Sequence, residues 1–363
     1  MSVGETILFG LLKFAGIVLA FVMVVATVLT LLERKQSALV QNRVGPNRAF
    51  LFGKKFPLSA FIGQILADAV KVLVKEDFEP PRGNKWLHRI APALPFFAAL
   101  MVWMVIPFGP GPKPGQPGDQ PFQIADLDAG MLWVLAISSL SVYGAVIGSW
   151  ASNSAYSMLG GLRTAAQMIS YEVTLGLNLV GLFMIFGTLQ LNDIVWGQGE
   201  LLWGWLPKWG IVVQPLGFVL FIVAAVAEIK RAPFDLPEDE SVLVAGYYTE
   251  YSSMRFALFS LGEFIGIVVM SALAACLFLG GWQIPWVDTP LDPDGSVAYG
   301  WFTVLQIGCF LTKTLVMVFV LQQIRWTFPR FRYDQLMKLG WVYMLPLSIA
   351  NLAVTALVMF LLR

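Results

Sequence analysis

Apolar residues gather along this chain in eight runs, at approximately 14–32, 90–108, 129–150, 167–189, 209–227, 256–279, 301–324 and 339–362. Stretches rich in charge, glycine or proline separate them. A hydrocarbon core about 30 Å thick is crossed by roughly 20 residues of helix. The runs therefore predict an all-α, polytopic membrane protein with eight transmembrane helices. The alternating apolar-out, polar-in segments of a barrel strand are absent from the sequence. One further segment has a different pattern. Leu58, Phe61, Ile62, Ile65, Leu66, Ala69 and Leu73 recur at helical spacing, with Gln64, Asp68, Lys71 and Lys75 on another face. Residues 57–76 thus predict an amphipathic helix lying in the membrane interface. As a ninth span they would put the basic flanks Arg34–Lys55 and Lys75–Arg89 on opposite sides and turn the later basic loops outward.

The most polar interruption runs from Ala227 to Phe264. Glu228, Lys230, Arg231, Asp235, Glu238, Asp239, Glu240, Glu250 and Arg255 crowd between two apolar runs, and Glu263 lies inside the second. Pro233 and Pro237 each lack an N–H and restrict the residue before them, which denies the segment a regular helix. Residues 228–255 are expected to be an acidic loop folded against protein or water.

Composition agrees with the span pattern. The 363 residues are 57% hydrophobic and 13% charged, with mean hydropathy +0.71, whereas soluble domains carry about 25% charged residues. Residues 1–363 read as a single integral membrane domain. The first apolar run exceeds a signal peptide's and ends at Glu33-Arg34-Lys35 without a small-residue cleavage site, so it is expected to be retained. Cys276 and Cys309 are isolated and His88 is the only histidine. That leaves no metal or iron–sulfur ligand spacing. No glycine-rich nucleotide fingerprint follows a strand, and nothing points to nucleic acid. Nineteen of the 24 Lys and Arg fall in the connections after spans one, three, five and seven. The positive-inside rule then places those connections in the cytoplasm and both termini on the periplasmic side.

Charges within spans need a reason, because one at the bilayer centre costs about 2.5–3.5 kcal/mol on insertion scales. Glu172, Glu228, Glu263 and Lys313 are the candidates. One reading is that they pair to brace helices; the other is that they form a hydrated proton path, in which neighbouring acids and bases exchange protons. Glu33 and Arg34 close the first span, where terminal charges can snorkel to the surface.

At these residues the chain resembles a known family, the H-type membrane subunit of bacterial NADH:quinone oxidoreductase (respiratory complex I), equivalent to mitochondrial NADH dehydrogenase subunit one. The resemblance covers nearly the whole chain. It rests on ERKQSALVQNRVGPNR from Glu33, ADAVKVLVKE from Ala67, WASNS from Trp150, AAQMISYEVTL from Ala165, EIKRAPFDLPEDESVLVAGYYTEY from Glu228, FALFSLGEF from Phe256, TKTL from Thr312 and YDQLMKLGW from Tyr333. It implies a subunit joining the proton-pumping arm to the peripheral redox arm in the bacterial inner membrane (or its mitochondrial counterpart). FMN and iron–sulfur clusters would belong to partners, namely the peripheral quinone-site subunits and the antiporter-like membrane subunits. The substrate would be a quinone, ubiquinone or menaquinone, entering from the lipid between the first span, the interfacial helix and span six. By motif, Arg34, Arg43, Asp68, Arg231, Phe234, Asp235 and Arg325 would line the quinone tunnel. Glu172, Glu228, Glu238, Glu240 and Glu263, with Lys313, would carry protons. Val242 stands where some relatives have a third loop acid.

Three other functions remain open at this point. A sister subunit of a membrane-bound hydrogenase would share the fold and the acids. A stand-alone ion transporter would move ions without partners, although no long repeat is evident. A passive anchor would tolerate neutral replacements of Glu172, Glu228 and Glu263.

Overall fold

The computed structural model describes residues 3–50, 57–114, 121–202, 204–237, 243–290, 297 and 300–362. Helix α1 (Val3–Ile17) continues through a π turn, Val18–Val22, into α2 (Met23–Val40). Thr27 and Thr30 keep their hydroxyls satisfied inside this apolar stretch by donating to the carbonyls of Met23 and Thr27, at 2.6 and 2.7 Å. The helix ends where Asn42 turns left-handed (φ 52°) and Arg43 N–H returns to Ala38 O at 2.8 Å. Helix α3 (Pro57–Val74) follows, lying against α2 and the later helix of residues 253–278.

Helix α4 (Lys85–Ile90) starts on Asn84, whose side chain accepts from Trp86 N and Leu87 N. It is separated from α5 (Ala93–Met101) only by Ala91 and Pro92. Next come α6 (Gly130–Ala151), α7 (Ala155–Phe186), α8 (Leu191–Gly197), α9 (Gly210–Val213), α10 (Pro215–Glu228), α11 (Ser253–Phe278), α12 (Trp301–Thr327), α13 (Tyr333–Lys338) and α14 (Leu345–Leu362). The one sheet among the described residues pairs Leu201–Leu202 with Leu206–Pro207.

Seven helical stretches among the described residues are long and apolar enough to cross a membrane. The run expected at 209–227 is instead divided at Gln214, leaving α10 with 14 residues. That is about 21 Å of helix, short of the roughly 30 Å hydrocarbon core. Gly160-Gly161, a pair that by composition reads as part of the turn after the third span, are both buried inside α7. They serve close packing there. A Cβ on Gly160 would lie 2.6 Å from Tyr247 N, and one on Gly161 1.9 Å from Ser149 Oγ. The turn is confined to Ser152–Ser154, and α7 begins twelve residues before the apolar run.

Helix α11 is the centre of the molecule. Its apolar window is 83% buried, against 11–44% for the other six. A helix enclosed by protein must be apolar all round rather than on one stripe. In α11, Gly262 brings the backbone close to Phe96, where a Cβ would lie 3.3 Å from Phe96 N. Glu263 is the next residue, so the most enclosed helix carries an acid.

Candidate functional site

Backbone geometry gathers the polar island at one end of α11. Helix α10 stops at Glu228, Lys230 adopts φ 58°, and the prolines keep the chain irregular. Gln167 of α7 holds this irregular segment by donating its amide to Ala227 O at 2.8 Å and Phe234 O at 2.9 Å. Phe234 itself is packed, tilted against Tyr171 at 5.6 Å and stacked on Phe331 at 5.5 Å. Beyond the loop, a 3-10 turn (Gly246–Tyr248) rests against Gly160.

An ionic chain crosses four elements here. Glu33, at the end of α2, accepts from Arg231 Nη1 at 3.1 and 2.9 Å on its two oxygens, and also from Arg325 of α12. Arg231 lies 4.4 Å over the Phe264 ring and reaches Glu263 Oε2 at 3.9 Å. Lys230 stands 3.7 Å from Glu263 Oε1 and donates to Tyr247 OH at 3.1 Å. Tyr247 OH is 2.7 Å from Glu263 Oε1, and Tyr248 OH donates to the same oxygen. Removing charges from water costs several kcal/mol per ion unless each is paired and hydrogen-bonded. Glu33, Glu228 and Glu263 against Lys230, Arg231 and Arg325 sum to zero formal charge when all are ionised.

Glu228, Lys230, Glu263, Ser138 and Ser141 line a cavity of about 70 Å³. A water needs roughly 10–15 Å³ by such a measure, so the space admits a few. Glu228 Oε2 and Glu172 Oε1 have no hydrogen-bond partner among the described residues. Glu172 on α7 is near enough for its charge to bear on Glu228. The geometry suits proton traffic: two acids and one amine line one small cavity within a packed bundle, and two phenols bond the Glu263 carboxylate beside it.

Asp235 pairs with Arg330 at 2.8 Å. Burial nevertheless raises its pKa, against the pull of the Arg330 and Arg325 charges, with Glu263 adding to the rise. Glu238 and Glu240, and Val242 with them, lie outside the described residues.

Other expected residues are placed elsewhere. Arg34 and Asp68 form a fork-like pair joining α2 to α3, with Gln64 donating to Asp68 at 3.2 Å. Arg43 is exposed and donates to Gln41 at 2.7 Å. Lys313 does not meet the acids. It lies beyond the far end of α11, donating to Gly281 O at 3.0 Å and Gln283 O at 2.7 Å beneath the Trp209 ring.

The structure also adds members that pattern reading passed over. Glu33 does not snorkel alone to the surface; it is the hinge between two arginines. Lys230, rather than Lys313, is the amine beside an intramembrane acid. Tyr247 and Tyr248 supply phenols, and the signal for them is two adjacent tyrosines within the charged loop.

Comparison with known proteins agrees across the chain. Residues 12–356 match the family described as NADH dehydrogenase. An H-type NADH-quinone oxidoreductase subunit of Geobacter metallireducens is 45% identical over 340 residues, covering 94% of this chain and 93% of that protein. The H-type subunit of Magnetococcus marinus is 43% identical over 357 residues, 98% of this chain and 93% of the relative. The NADH-quinone oxidoreductase subunit 8 of Rhodothermus marinus is 41% identical over 348 residues, with 94% and 95% covered.

Proposed function

This chain belongs to the NADH dehydrogenase family, whose members include the H-type subunits of NADH-quinone oxidoreductase, and on that premise we propose that it guides a quinone toward its reduction site and couples that reduction to proton translocation. In this reading α3 lies at the membrane surface, both termini face the periplasm, and the basic connections face the cytoplasm, as the charge asymmetry supports. The quinone, ubiquinone or menaquinone, enters beside Arg34 and Asp68, where α3 lies against α2 and α11. Flavin and iron–sulfur clusters reside in partner subunits, against which the headgroup is reduced. The cavity beside Glu33, Arg231 and Arg325 is about 20 Å³, which suits water rather than a quinone ring. These residues accordingly act as a charged wall next to the route.

One observation carries the proposal: Arg231 bonds Glu33 and also reaches Glu263, so a single guanidinium links the expected quinone side to the expected proton side. Quinone reduction takes up two electrons and two protons. Negative charge arising near Arg231 weakens its hold on Glu263, and Glu263 then binds a proton more readily. That proton can be exchanged with Glu228 across the cavity, then with Glu172 beyond Glu228, and onward to the antiporter-like membrane subunits.

Arginine donates in a fixed fork that lysine cannot reproduce. In membranes carrying Arg231→Lys, NADH:quinone reduction is expected to fall while NADH:ferricyanide reduction, which needs no quinone, stays intact. Equal loss of both activities would mean failed assembly, and preservation of both would remove Arg231 from the quinone route.

A further inference from the structure

Lys230 and Tyr247 are not among the expected proton-carrying residues, yet they stand between two of them. Lys230 lines the same cavity as Glu228 and Glu263. Its ammonium donates to Tyr247 OH at 3.1 Å, and Tyr247 OH lies 2.7 Å from Glu263 Oε1. A second branch leaves Tyr247 for Tyr248 OH at 2.7 Å, and Tyr248 donates to that same carboxylate oxygen. Both branches end on one atom.

The turn's position makes this arrangement specific. Gly160 admits the Tyr247 backbone against α7, and the Tyr247 ring packs edge-on against Phe259 at 5.5 Å, which fixes where the phenol points. Lys230 is held in a left-handed conformation that a lysine rarely adopts, at the point where α10 ends. A purely electrostatic partner for Glu263 needs no aligned phenol. A chain of N–H, O–H and carboxylate in donor-to-acceptor order does.

We propose that Lys230 and Tyr247 form a proton relay that serves Glu263, with Lys230 as the amine that gives up and regains the proton. In one step the Lys230 ammonium passes a proton to the Tyr247 oxygen while Tyr247 releases its own to Glu263 Oε1. The products are a neutral amine, an unchanged phenol and a protonated carboxyl, so one proton has moved and no other bond has changed. The Tyr248 branch does the same through one more phenol. The neutral amine regains its proton from the cavity, where Glu228 faces it. Among the described residues, the groups that bear on Lys230 are Glu228 from α10, Glu263 from α11, Tyr247 and Tyr248 from the 3-10 turn, and Arg231 next along the loop; Glu172 from α7 acts on it through Glu228.

The inference rests on the proposed proton path, and its test is built to fail separately from that path. A lysine side chain can exchange its proton in a buried site, whereas arginine stays protonated throughout. Lys230→Arg, Tyr247→Phe and Glu263→Gln are compared in membranes matched for assembled complex by NADH:ferricyanide activity. A relay predicts that Lys230→Arg lowers NADH:quinone turnover by about a hundredfold or more, the range of lost proton-transfer catalysis, and that its alkaline limb moves relative to the parent. Tyr247→Phe, which keeps the ring packing, should lose turnover in the same direction. If Lys230→Arg and Tyr247→Phe both retain parental turnover and pH profile while Glu263→Gln is impaired, the relay is overturned and the acid path survives. If Glu263→Gln is also normal, both readings are wrong. If Lys230→Arg lowers turnover by one constant factor at every pH, Lys230 is a brace and the relay is likewise overturned.

Discussion

Glu263 and Lys313 each place a single charge inside a long apolar helix, and the molecule accommodates them by different means. Lys313 donates to two backbone carbonyls and sits under Trp209. Carbonyls do not titrate, so these partners keep one state, and the two hydrogen bonds tie α12 to the 281–283 turn. Glu263 meets Lys230, Arg231, Tyr247 and Tyr248, and three of these neighbours carry an exchangeable proton on an amine or phenol. A similar insertion penalty is offset at one end by fixed dipoles and at the other by groups that can change charge. The first arrangement suits bracing and the second suits transport.

The strongest way to disturb this contrast is to remove Glu33. Glu33→Ala strips the shared partner from Arg231 and Arg325, and breaking a buried pair costs about 3–5 kcal/mol. Complex recovery by ferricyanide activity should fall sharply; normal recovery would show that the ionic chain is not needed for folding. Lys313→Met tests the bracing end. It takes the ammonium from the Gly281 carbonyl and leaves the Gln283 carbonyl only the weak Cys309 thiol as a side-chain donor, a loss of about 1–3 kcal/mol, so thermal inactivation should come earlier while turnover per assembled complex stays near the parental value. Lost turnover in a well-assembled Lys313→Met complex would erase the distinction between the two ends.

Gly160→Ala sharpens the transport end from a distance. The new methyl would meet the Tyr247 backbone and displace the turn at a cost of about 1–3 kcal/mol, so turnover should decline although no charge is altered. Asp235 gives the smallest effect. Because burial raises its folded pKa above the unfolded value of about 3.9, its contribution to stability is fully present below that value and is lost as pH rises through the folded pKa. The stability of the parent relative to Asp235→Asn should therefore decrease as pH climbs through that window. An opposite slope in thermal inactivation would mean that Arg330 dominates.

The long apolar runs made most of the fold legible, because hydropathy averages over twenty residues and tolerates local detail. Detail is where it stopped. Gln214 splits the 209–227 run by backbone geometry that hydropathy cannot register, and Gly160-Gly161 imitates a turn while serving close approach. The acids Glu172, Glu228 and Glu263 were visible because an isolated charge in an apolar run is conspicuous. Their partners were not. Arg231 lies 198 positions from Glu33, and nothing in either neighbourhood announces the other. Tyr247 and Tyr248 read as ordinary aromatics until the turn brings their hydroxyls to Glu263. Lys313 resembles Glu263 in sequence, and only the fold separates a lysine under carbonyls from an acid among titrating groups.

Proton exchange between Glu228 and Glu263 during turnover, as proposed above, requires both carboxyls to titrate. Glutamine preserves their shape and much of their hydrogen bonding but cannot titrate. The most direct test is inhibitor-sensitive NADH:quinone turnover measured together with the pH gradient, in membranes matched for complex content and carrying Glu228→Gln or Glu263→Gln. The account predicts assembled complexes in which quinone reduction and pumping fall together, with Glu263→Asp recovering part of the loss. Normal turnover and normal pumping in both glutamine variants would contradict it and leave the acids as braces.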